Sequence, residues 1–556
     1  MFDWNNPYPT TRSPLFARNV VATSHPLAAQ AGLQMLARGG NAVDAAVATA
    51  AAMTIVEPIS NGLGSDCFAL VWDPAARDGR SLHGLNASGC APAAWSVDYF
   101  AKKYGDVFPM RGWDSVTVPG AVAGWAALSR RFGRLPFEDL LAPAIELAAR
   151  GYGVSTIVAH KWAMQVPVLI DQPGFRETFA PDGRAPHPGE RFVFTDAAAT
   201  LRAIAETRGE SFYRGAIAER IVAHGRACGA AMSEQDLGDY RVDWVDPIEK
   251  GYVAHDGVRH VLHEIPPNGQ GIAALMALGI VAELDIARHP VDSIEAQHLM
   301  IEAMKLAFAD VYRYVADARH MSDVTTGHLL DDAYLADRAR LIDPTRASDF
   351  THGVPAKFIR PGGTIYLTTA DASGMMVSLI QSNYMGFGSG VVVPGTGISL
   401  QNRWHGFSLD PSHPNVVAGG KRPFHTIIPG FLTRCVDGPD GPTQVPQMGF
   451  GVMGGNMQPQ GHLQTLVRML TYGQQPQAAC DAPRWKVNAG LSVDCEKTMS
   501  PALQEALVAR GHRIESIPDP YMDFGSGQFV WKLSDDADDG YVAASDSRRD
   551  GQAVGF

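Results

Sequence analysis

The feature that most constrains the fold is a pair of β-like segments in residues 364–382, TIYLTTADASGMMVSLIQS. The turn residues Ala372-Ser373-Gly374 between them indicate a β-hairpin. Helical spacing of apolar residues occurs on both sides of this hairpin in the chain, in residues 25–58, 137–154, 293–317, 461–473 and 502–512. Helices interleaved with paired strands predict sheets covered by helices, a layered α/β or α+β fold.

Composition narrows the possible classes of function. The chain has 556 residues, is 46% hydrophobic and carries a formal net charge of −12. This balance argues against a nucleic-acid partner, which normally requires a basic patch. The six cysteines form no CxxC pair, and no histidine shows HExxH spacing. We therefore expect no disulfide framework, no metal and no organic cofactor.

The beginning of the chain predicts where the protein resides. Residues 1–19 contain proline, asparagine and charged residues where a secretory signal would have an apolar core. A long apolar run, residues 42–56, carries an Asp and is too short for a membrane span. The sequence therefore predicts a cytoplasmic protein without a membrane partner.

A flexible joint precedes the hairpin, because Pro361, Gly362 and Gly363 lead directly into Thr364. One interpretation is a loop that enters an edge strand. The other is self-cleavage, since a threonine hydroxyl can attack the preceding carbonyl where glycine permits a sharp bend. Cleavage would make Thr364 an N-terminal nucleophile. Its α-amine, with a pKa of about 7.7–8.0, would suit a general base.

Several motifs occur in the same order as in one known family. They are GGNAVDAAVA, VEPISNGLGSDCF, TVPGAVAGW, GKRPFHTIIP and GVMGGNMQPQGH, and they span nearly the full chain. With these motifs the chain resembles the γ-glutamyltranspeptidase family of N-terminal-nucleophile hydrolases. The resemblance implies an α+β fold, the four-layer αββα sandwich. It also implies a precursor that splits into a large subunit, 1–363, and a small subunit, 364–556, with a dimer of such pairs as a further option.

The resemblance also implies the catalytic residues. Thr364 would be the nucleophile, released by cleavage after Gly363, and Ser382 would support it through its hydroxyl. Gly454 and Gly455 would donate backbone N–H groups to the oxyanion, although this pair without the family would indicate only a turn. Thr364 would attack an amide carbonyl to form an acyl-enzyme, which water or an amine then cleaves.

The substrate-binding motifs depart from the family pattern. Ser88, in NASGCAP, occupies the place of the family's carboxylate-binding arginine. His425 and Thr426, in RPFHT, replace two adjacent serines, His405 replaces part of an acidic pair, and Tyr384 replaces an asparagine. Without the arginine and the acidic pair, a free γ-glutamyl group should bind poorly. The chain is therefore more similar to the acylase and amidohydrolase branch.

A substitute carboxylate pocket could be built from Tyr384, Arg403, His405 and His425, although a structural or solvated role fits each of them equally well. Asp66 and Cys67 stand where the family motif is mostly glycine. They could line the cavity or only pack, and we favour packing.

The sequence leaves three hypotheses open. The first is an autoprocessed amidohydrolase that cleaves a small amide or γ-glutamyl-like bond. The second is a genuine glutathione hydrolase or γ-glutamyltransferase with a rebuilt carboxylate site. The third is an unprocessed binding protein, against which the retention of Thr364, Ser382 and the Gly454-Gly455 pair argues.

Overall fold

The computed structural model describes residues 3, 7–9, 12–76, 80–105, 107, 109–350, 363–438, 441–517 and 524–556. Pro361 and Gly362 of the predicted joint lie outside these residues. The strands are β1 (Leu15–Ala17), β2 (Val20–Thr23), β3 (Asp66–Trp72), β4 (Leu82–Ala87), β5 (Tyr152–Gly153), β6 (Arg191–Phe192), β7 (Asp243–Val245), β8 (Ile248–Val253), β9 (Arg259–Glu264), β10 (Gly363–Ala370), β11 (Met376–Tyr384), β12 (Val392–Val393), β13 (Ile398–Ser399), β14 (Gly430–Gly438), β15 (Gly441–Met453), β16 (Trp485–Val487), β17 (Ser492–Glu496), β18 (Arg513–Ile517), β19 (Ser526–Lys532), β20 (Tyr541–Ser545) and β21 (Gln552–Gly555).

The α-helices are α1 (Pro26–Ala37), α2 (Ala42–Val56), α3 (Val97–Tyr104), α4 (Ala121–Phe132), α5 (Phe137–Arg150), α6 (Thr156–Leu169), α7 (Phe175–Phe179), α8 (Thr195–Thr207), α9 (Glu210–Arg214), α10 (Ala216–Ala227), α11 (Glu234–Gly238), α12 (Gly271–Ala282), α13 (Ile294–Tyr314), α14 (Thr326–Leu330), α15 (Asp332–Ala339), α16 (Met457–Leu470), α17 (Pro476–Asp481) and α18 (Pro501–Ala509). Among the described residues, no helix combines the length and the apolar character needed to cross a bilayer.

Two seven-stranded antiparallel sheets form the centre of the molecule. The strand order is β21-β2-β10-β11-β3-β4-β7 in the first sheet and β1-β20-β19-β15-β14-β9-β8 in the second. Both sheets combine strands that precede residue 363 with strands that follow it. In the first sheet, β2 lies between β21 and β10, and β3 lies between β11 and β4.

The two sheets face each other across an apolar layer. Phe68, Tyr366 and Ile380 of the first sheet pack there with Phe431 and Val530 of the second. Within one strand, side chains two positions apart point to the same side of the sheet. The side chains two positions before Phe68 and Tyr366, and two positions after Ile380, therefore also face the second sheet.

Glycines in β15 bring the sheets close to each other at β10. A Cβ atom on Gly451 would lie 2.6 Å from the ring of Tyr366, and one on Gly449 would lie 2.6 Å from Oγ1 of Thr368. β15 therefore runs opposite β10 in the reverse direction, and the end of β15 lies opposite the start of β10.

Helices cover the outer face of each sheet. α2 packs on β10 and β11 and is buried over its whole length, which its alanine-rich sequence permits. Asn41 caps α2 together with Asp44, directly after Gly39-Gly40. α12, α16 and α17 pack on the second sheet. The predicted four-layer αββα sandwich is confirmed.

Candidate active site

Three polar side chains form a row across neighbouring strands of the first sheet. Thr364 is the second residue of β10, Ser382 lies near the end of β11, and Asp66 begins β3. Ser382 is paired in register with Asp66, and directly paired residues present their side chains on the same face. All three lie on the face toward the second sheet.

A β-bulge lies at Thr364. Gly363 pairs with Tyr384 and Ile365 pairs with Gln381, so one residue of β10 stands opposite two residues of β11. Bulges break the regular ladder and redirect side chains, and they are frequent next to active sites. Here the bulge places the hydroxyl of Ser382 against the carbonyl that precedes Thr364.

The hydroxyl groups of Thr364 and Ser382 and the carbonyl of Gly363 form one hydrogen-bonded group. Oγ of Ser382 is 2.7 Å from the carbonyl oxygen of Gly363 and 3.0 Å from Oγ1 of Thr364. The backbone N–H of Tyr384 also donates to this Oγ, at 2.8 Å. Ser382 has one proton, which it donates to the carbonyl, so it accepts the proton of Thr364. The bond from Ser382 polarises the carbonyl of Gly363, and the bond from Thr364 to Ser382 makes the oxygen of Thr364 more electron-rich.

The Gly454-Gly455 turn follows β15 at the end that lies opposite the start of β10. Both residues have positive φ angles, 128° and 61°, which favour glycine. A Cβ atom on Gly454 would lie 3.0 Å from Cα of Gly525. The side-chain amide of Gln270 donates to the carbonyl oxygens of Gly455, at 2.9 Å, and Thr426, at 2.6 Å. Gln270 therefore connects the Gly454-Gly455 turn to the segment that contains Thr426.

A buried arginine forms the centre of a pocket beside the row. Arg403, at the start of a 3₁₀ turn, is 2% exposed. Its Nη1 donates to Oγ1 of Thr426 at 2.9 Å, and its guanidinium lies 5.1 Å from the ring centre of Tyr384. The hydroxyl of Tyr384 is 3.1 Å from Nδ1 of His405. Nε and Nη2 of Arg403 have no hydrogen-bond partner among the described residues.

Asp66 supplies the nearest negative charge to this arginine. Its Oδ2 accepts a hydrogen bond from Nε2 of His425 at 2.9 Å and lies 3.9 Å from Nε of Arg403. Oδ1 accepts from the backbone N–H of Gly89. Nδ1 of His425 accepts from the backbone N–H of Ile427, so the imidazole proton is on Nε2. Asp66 is thus fully buried and contacts charged and polar groups, and it is not among the residues that line the cavity described below.

Burial shifts the ionisation of these groups. Loss of solvent raises the pKa of Asp66 to about 7, although Arg403 and the bond from Gly89 act in the opposite direction. Burial lowers the pKa of Arg403 to about 10, which leaves it charged at neutral pH. Burial and the nearby guanidinium groups keep the pKa of His425 well below its usual value, so this imidazole is neutral.

Arg403 lines a small cavity. The space open to the centres of water molecules in it is about 10 Å³. It is lined by Tyr384, Arg403, Gly406, Phe424, Thr426 and Asn456. Three of the predicted substrate-binding residues therefore share one cavity. His405 contacts Tyr384 of this cavity, and His425 bonds to Asp66, which lies 3.9 Å from Arg403.

Ser88 lies elsewhere. It is fully buried, and its hydroxyl donates to Oδ1 of Asn86 at 2.7 Å and accepts from Nδ2 of Asn268 at 3.2 Å. It is not among the residues that line the cavity. Both bonds of its hydroxyl are to other residues of the protein. Its contact with substrate stays a prediction.

One buried cluster has the residue types of metal ligands, namely His298, Glu302 and His512. Nδ1 of His298 lies 2.8 Å from Nε2 of His512, whose Nδ1 is 3.3 Å from Nζ of Lys305. That ammonium also donates to Oε1 of Glu302 at 2.7 Å. Since the lysine supplies the positive charge and the ring nitrogens bond to each other, these groups are satisfied without an ion.

Thr364 lies at the start of a central strand of an αββα sandwich, where its hydroxyl and that of Ser382 meet the carbonyl of Gly363. This arrangement defines the class of N-terminal-nucleophile hydrolases. The family model described as gamma-glutamyltranspeptidase matches residues 28–556. The chain therefore belongs to the γ-glutamyltranspeptidase family.

Known relatives cover almost the whole chain. An oxamate amidohydrolase proenzyme from Klebsiella pneumoniae is 36% identical over 96% of this chain and 97% of its own length. A glutathione hydrolase-like YwrD proenzyme from Bacillus subtilis is 34% identical over 98% of this chain and 100% of its own. The crystal structure of a cephalosporin acylase from Bacillus halodurans has a TM-score of 0.89 and 46% identity, covering 100% of this chain and 99% of its own. The prediction of an autoprocessing enzyme of this family is confirmed.

Proposed function

We propose that the protein cuts its own chain between Gly363 and Thr364 and then hydrolyses a small monoamide of a dicarboxylic acid. The observation that carries this proposal is the position of Arg403. Its Nε and Nη2 have no hydrogen-bond partner among the described residues, and it lines a cavity together with Tyr384, whose backbone N–H donates to Ser382. Such a site suits a substrate with a carboxylate at one end and an amide at the other.

The self-cleavage step uses the hydroxyl pair. Oγ1 of Thr364 forms a bond to the carbonyl carbon of Gly363, the C–N bond breaks, and the α-amine of Thr364 takes the hydroxyl's proton. Ser382 donates to the carbonyl oxygen, where negative charge develops. Water then hydrolyses the resulting ester, which leaves Gly363 with a carboxylate and Thr364 with a free amine.

The same atoms serve the substrate reaction. The free amine of Thr364 takes the proton of its own hydroxyl as that hydroxyl attacks the substrate amide, and it returns the proton to the leaving amine. Backbone N–H groups of the Gly454-Gly455 turn stabilise the oxyanion. Water releases the acyl group as a dicarboxylic acid.

Arg403 would bind the substrate carboxylate through Nε and Nη2, which have no hydrogen-bond partner among the described residues. A buried polar group without a partner costs about 1–3 kcal/mol, and a carboxylate can satisfy Nε and Nη2 together. The small size of the cavity favours a short acyl chain. The name of the Klebsiella relative supports this class, because oxamate is the monoamide of a two-carbon dicarboxylic acid.

A γ-glutamyl substrate is the second candidate, suggested by the name of the Bacillus subtilis relative. Such a substrate also carries an ammonium group, which binds best to a carboxylate. None of the cavity's lining residues is acidic, and Asp66 already accepts from His425. The monoamide is therefore the better candidate.

The test combines mass spectrometry with an amide panel. Intact-mass measurement should find fragments 1–363 and 364–556. The panel contains oxamate, succinamate and glutaramate, the neutral diamide of each length, and a γ-glutamyl anilide. We expect kcat/KM for one monoamide to exceed that of its diamide by about 10–100-fold, as a charged hydrogen bond would give. Equal rates for monoamide and diamide, or a preference for the anilide, would contradict the proposal.

A further inference from the structure

The pocket beside Thr364 holds one cation and one anion. Arg403 and Asp66 are both buried, at 2% and 0% exposure, with 3.9 Å between Nε and Oδ2. His425 is neutral and donates its only ring proton to Asp66. The empty pocket is therefore electrically balanced when Asp66 is ionised. In the proposed function, on which this inference rests, a substrate carboxylate binds Arg403 and disturbs that balance.

Other ionisable groups around Asp66 do not change this balance. Those that face it from its own strand and from neighbouring elements are Cys67, Tyr213, Tyr240, Arg403, Arg422 and His425. Burial raises the pKa of the thiol and of both phenols, so these three are neutral. Arg422 is neutralised by its own ion pair with Asp243.

A bound substrate would add a second carboxylate to the same guanidinium. Two carboxylates that share one dry site cannot both stay ionised without a large penalty, and one of them takes up a proton. His425 is poorly placed to accept it, because its Nδ1 already accepts from Ile427 and Arg403 lies nearby. The remaining acceptor is Oδ2 of Asp66, the carboxylate oxygen nearest Arg403.

We propose that Asp66 is a positioning and specificity-determining residue that takes up one proton each time a substrate carboxylate binds Arg403. The protonated Oδ2 then donates to the bound carboxylate, so that the two carboxyl groups share one proton beside the guanidinium. A neutral ligand brings no second charge and takes up no proton. Asp66 thereby makes binding of an acidic substrate dependent on pH.

The direction of the pH effect is set by linkage. The empty site loses the Asp66 proton around pH 7, since burial raises the pKa of this group to about 7. Below this pH the proton is already present and binding is insensitive to pH. Above it each binding event must recruit a proton, so KM for a monoamide rises by up to about tenfold per pH unit. KM for the matching diamide stays flat.

The experiment measures proton uptake directly. Oxalate, succinate and glutarate, the products expected from the amide panel, are titrated into the cleaved enzyme at pH 8 by calorimetry. Two buffers with different ionisation enthalpies give the number of protons taken up per bound ligand. The wild type should take up about one proton. Asp66→Asn, which keeps the size and the acceptor oxygen, should take up none and should bind more tightly at pH 8 than the wild type does.

Glu264→Gln is the matched control. Glu264 is also fully buried with a raised pKa, but it pairs with His462 outside the cavity. This variant should take up one proton, like the wild type. A gel that shows both subunits reports whether each variant has folded.

Several results would overturn the inference. They are binding without proton uptake in the wild type, unchanged uptake in Asp66→Asn, and no binding of any of the three dicarboxylates. If Asp66→Asn does not fold, the wild type still decides, because a KM for the monoamide that stays flat from pH 7 to 9 contradicts the inference. A different result would contradict the proposed function, namely equal kcat/KM for monoamide and diamide at pH 6. At this pH Asp66 is protonated both in the free enzyme and in the enzyme with bound ligand.

Discussion

The two sides of the site are built in different ways. The nucleophile side, with Thr364 and Ser382, lies on paired strands, and its hydroxyl groups have hydrogen-bond partners. The pocket side, with Arg403, lies on a short 3₁₀ turn outside the two large sheets. Two of its nitrogen atoms have no hydrogen-bond partner in the part of the chain that the structure describes. The sheets hold the reacting groups in fixed positions, whereas substitutions in the irregular segments can alter substrate specificity without disturbing those groups. A substitution on one side should therefore spare the other.

Thr364→Ala should have the largest effect and should remove both reactions. Without the hydroxyl there is no nucleophile, and hydrolysis should fall on the order of 10⁴–10⁶-fold, to background. A denaturing gel should show one uncut chain. Thr368→Ala, a buried threonine on the same strand, is the control and should still be cut. Normal splitting of Thr364→Ala would disprove the assignment of the nucleophile.

Ser382→Ala should slow both reactions without stopping them. The scissile carbonyl loses its donor and the nucleophile loses its acceptor, so the cleavage rate and kcat should each fall by about 100-fold. KM should not change, because the pocket is untouched. Ser378→Ala, on the same strand and bonded to the hydroxyl of Tyr366, controls for the loss of a buried serine. Self-cleavage of Ser382→Ala at the wild-type rate would remove Ser382 from the mechanism.

Arg403→Lys should separate the two sides. A lysine cannot offer two N–H groups in one plane, so KM for the monoamide should rise about 10–100-fold. Self-cleavage and turnover of the neutral diamide should stay within about twofold of the wild type. Arg422→Lys changes another buried arginine that does not line the cavity, and it serves as the control. An equal loss with monoamide and diamide would show that Arg403 acts only on the fold.

Tyr384→Phe should have the smallest effect. The change removes the hydroxyl that lies 3.1 Å from His405 and retains the ring beneath Arg403. A net hydrogen bond is worth about 0.5–1.5 kcal/mol, so kcat/KM for the monoamide should fall about threefold to tenfold. Steady-state kinetics at pH 6 measure it. A loss above about 100-fold would mean that this hydroxyl contacts the reacting atoms.

Local sequence signals predicted the elements of the fold well. Asn41 after a glycine pair marks the start of α2, and Gly151 marks the end of α5. The turn at Ala372-Ser373-Gly374 joins β10 and β11 as predicted. These features depend on residues close together in the chain, whose conformational preferences the sequence displays directly. The family motifs then indicated how the layers are assembled.

The remaining features of the site depend on contacts between distant segments. Asp66 and His425 are 359 positions apart, and nothing in GLGSDCF indicates that this carboxylate meets an imidazole. The bulge at Thr364 depends on the register between two strands, which alternation of apolar residues does not reveal when both strands are buried throughout. Gln270, which ties Gly455 to Thr426, occurs in a loop without a distinctive pattern.

The pairing of early with late strands in both sheets has a consequence for the lifetime of the enzyme. After the proposed cut before Thr364, neither fragment could leave without breaking the backbone ladders on both sides of β2, the ladder between β3 and β11, and the ladder between β9 and β14. The covalent link that made strand pairing an intramolecular event is then gone. Folding must precede cutting, and a cut molecule that is denatured by heat should not recover. A cleaved enzyme would therefore persist because it unfolds slowly, and not because it can refold after unfolding.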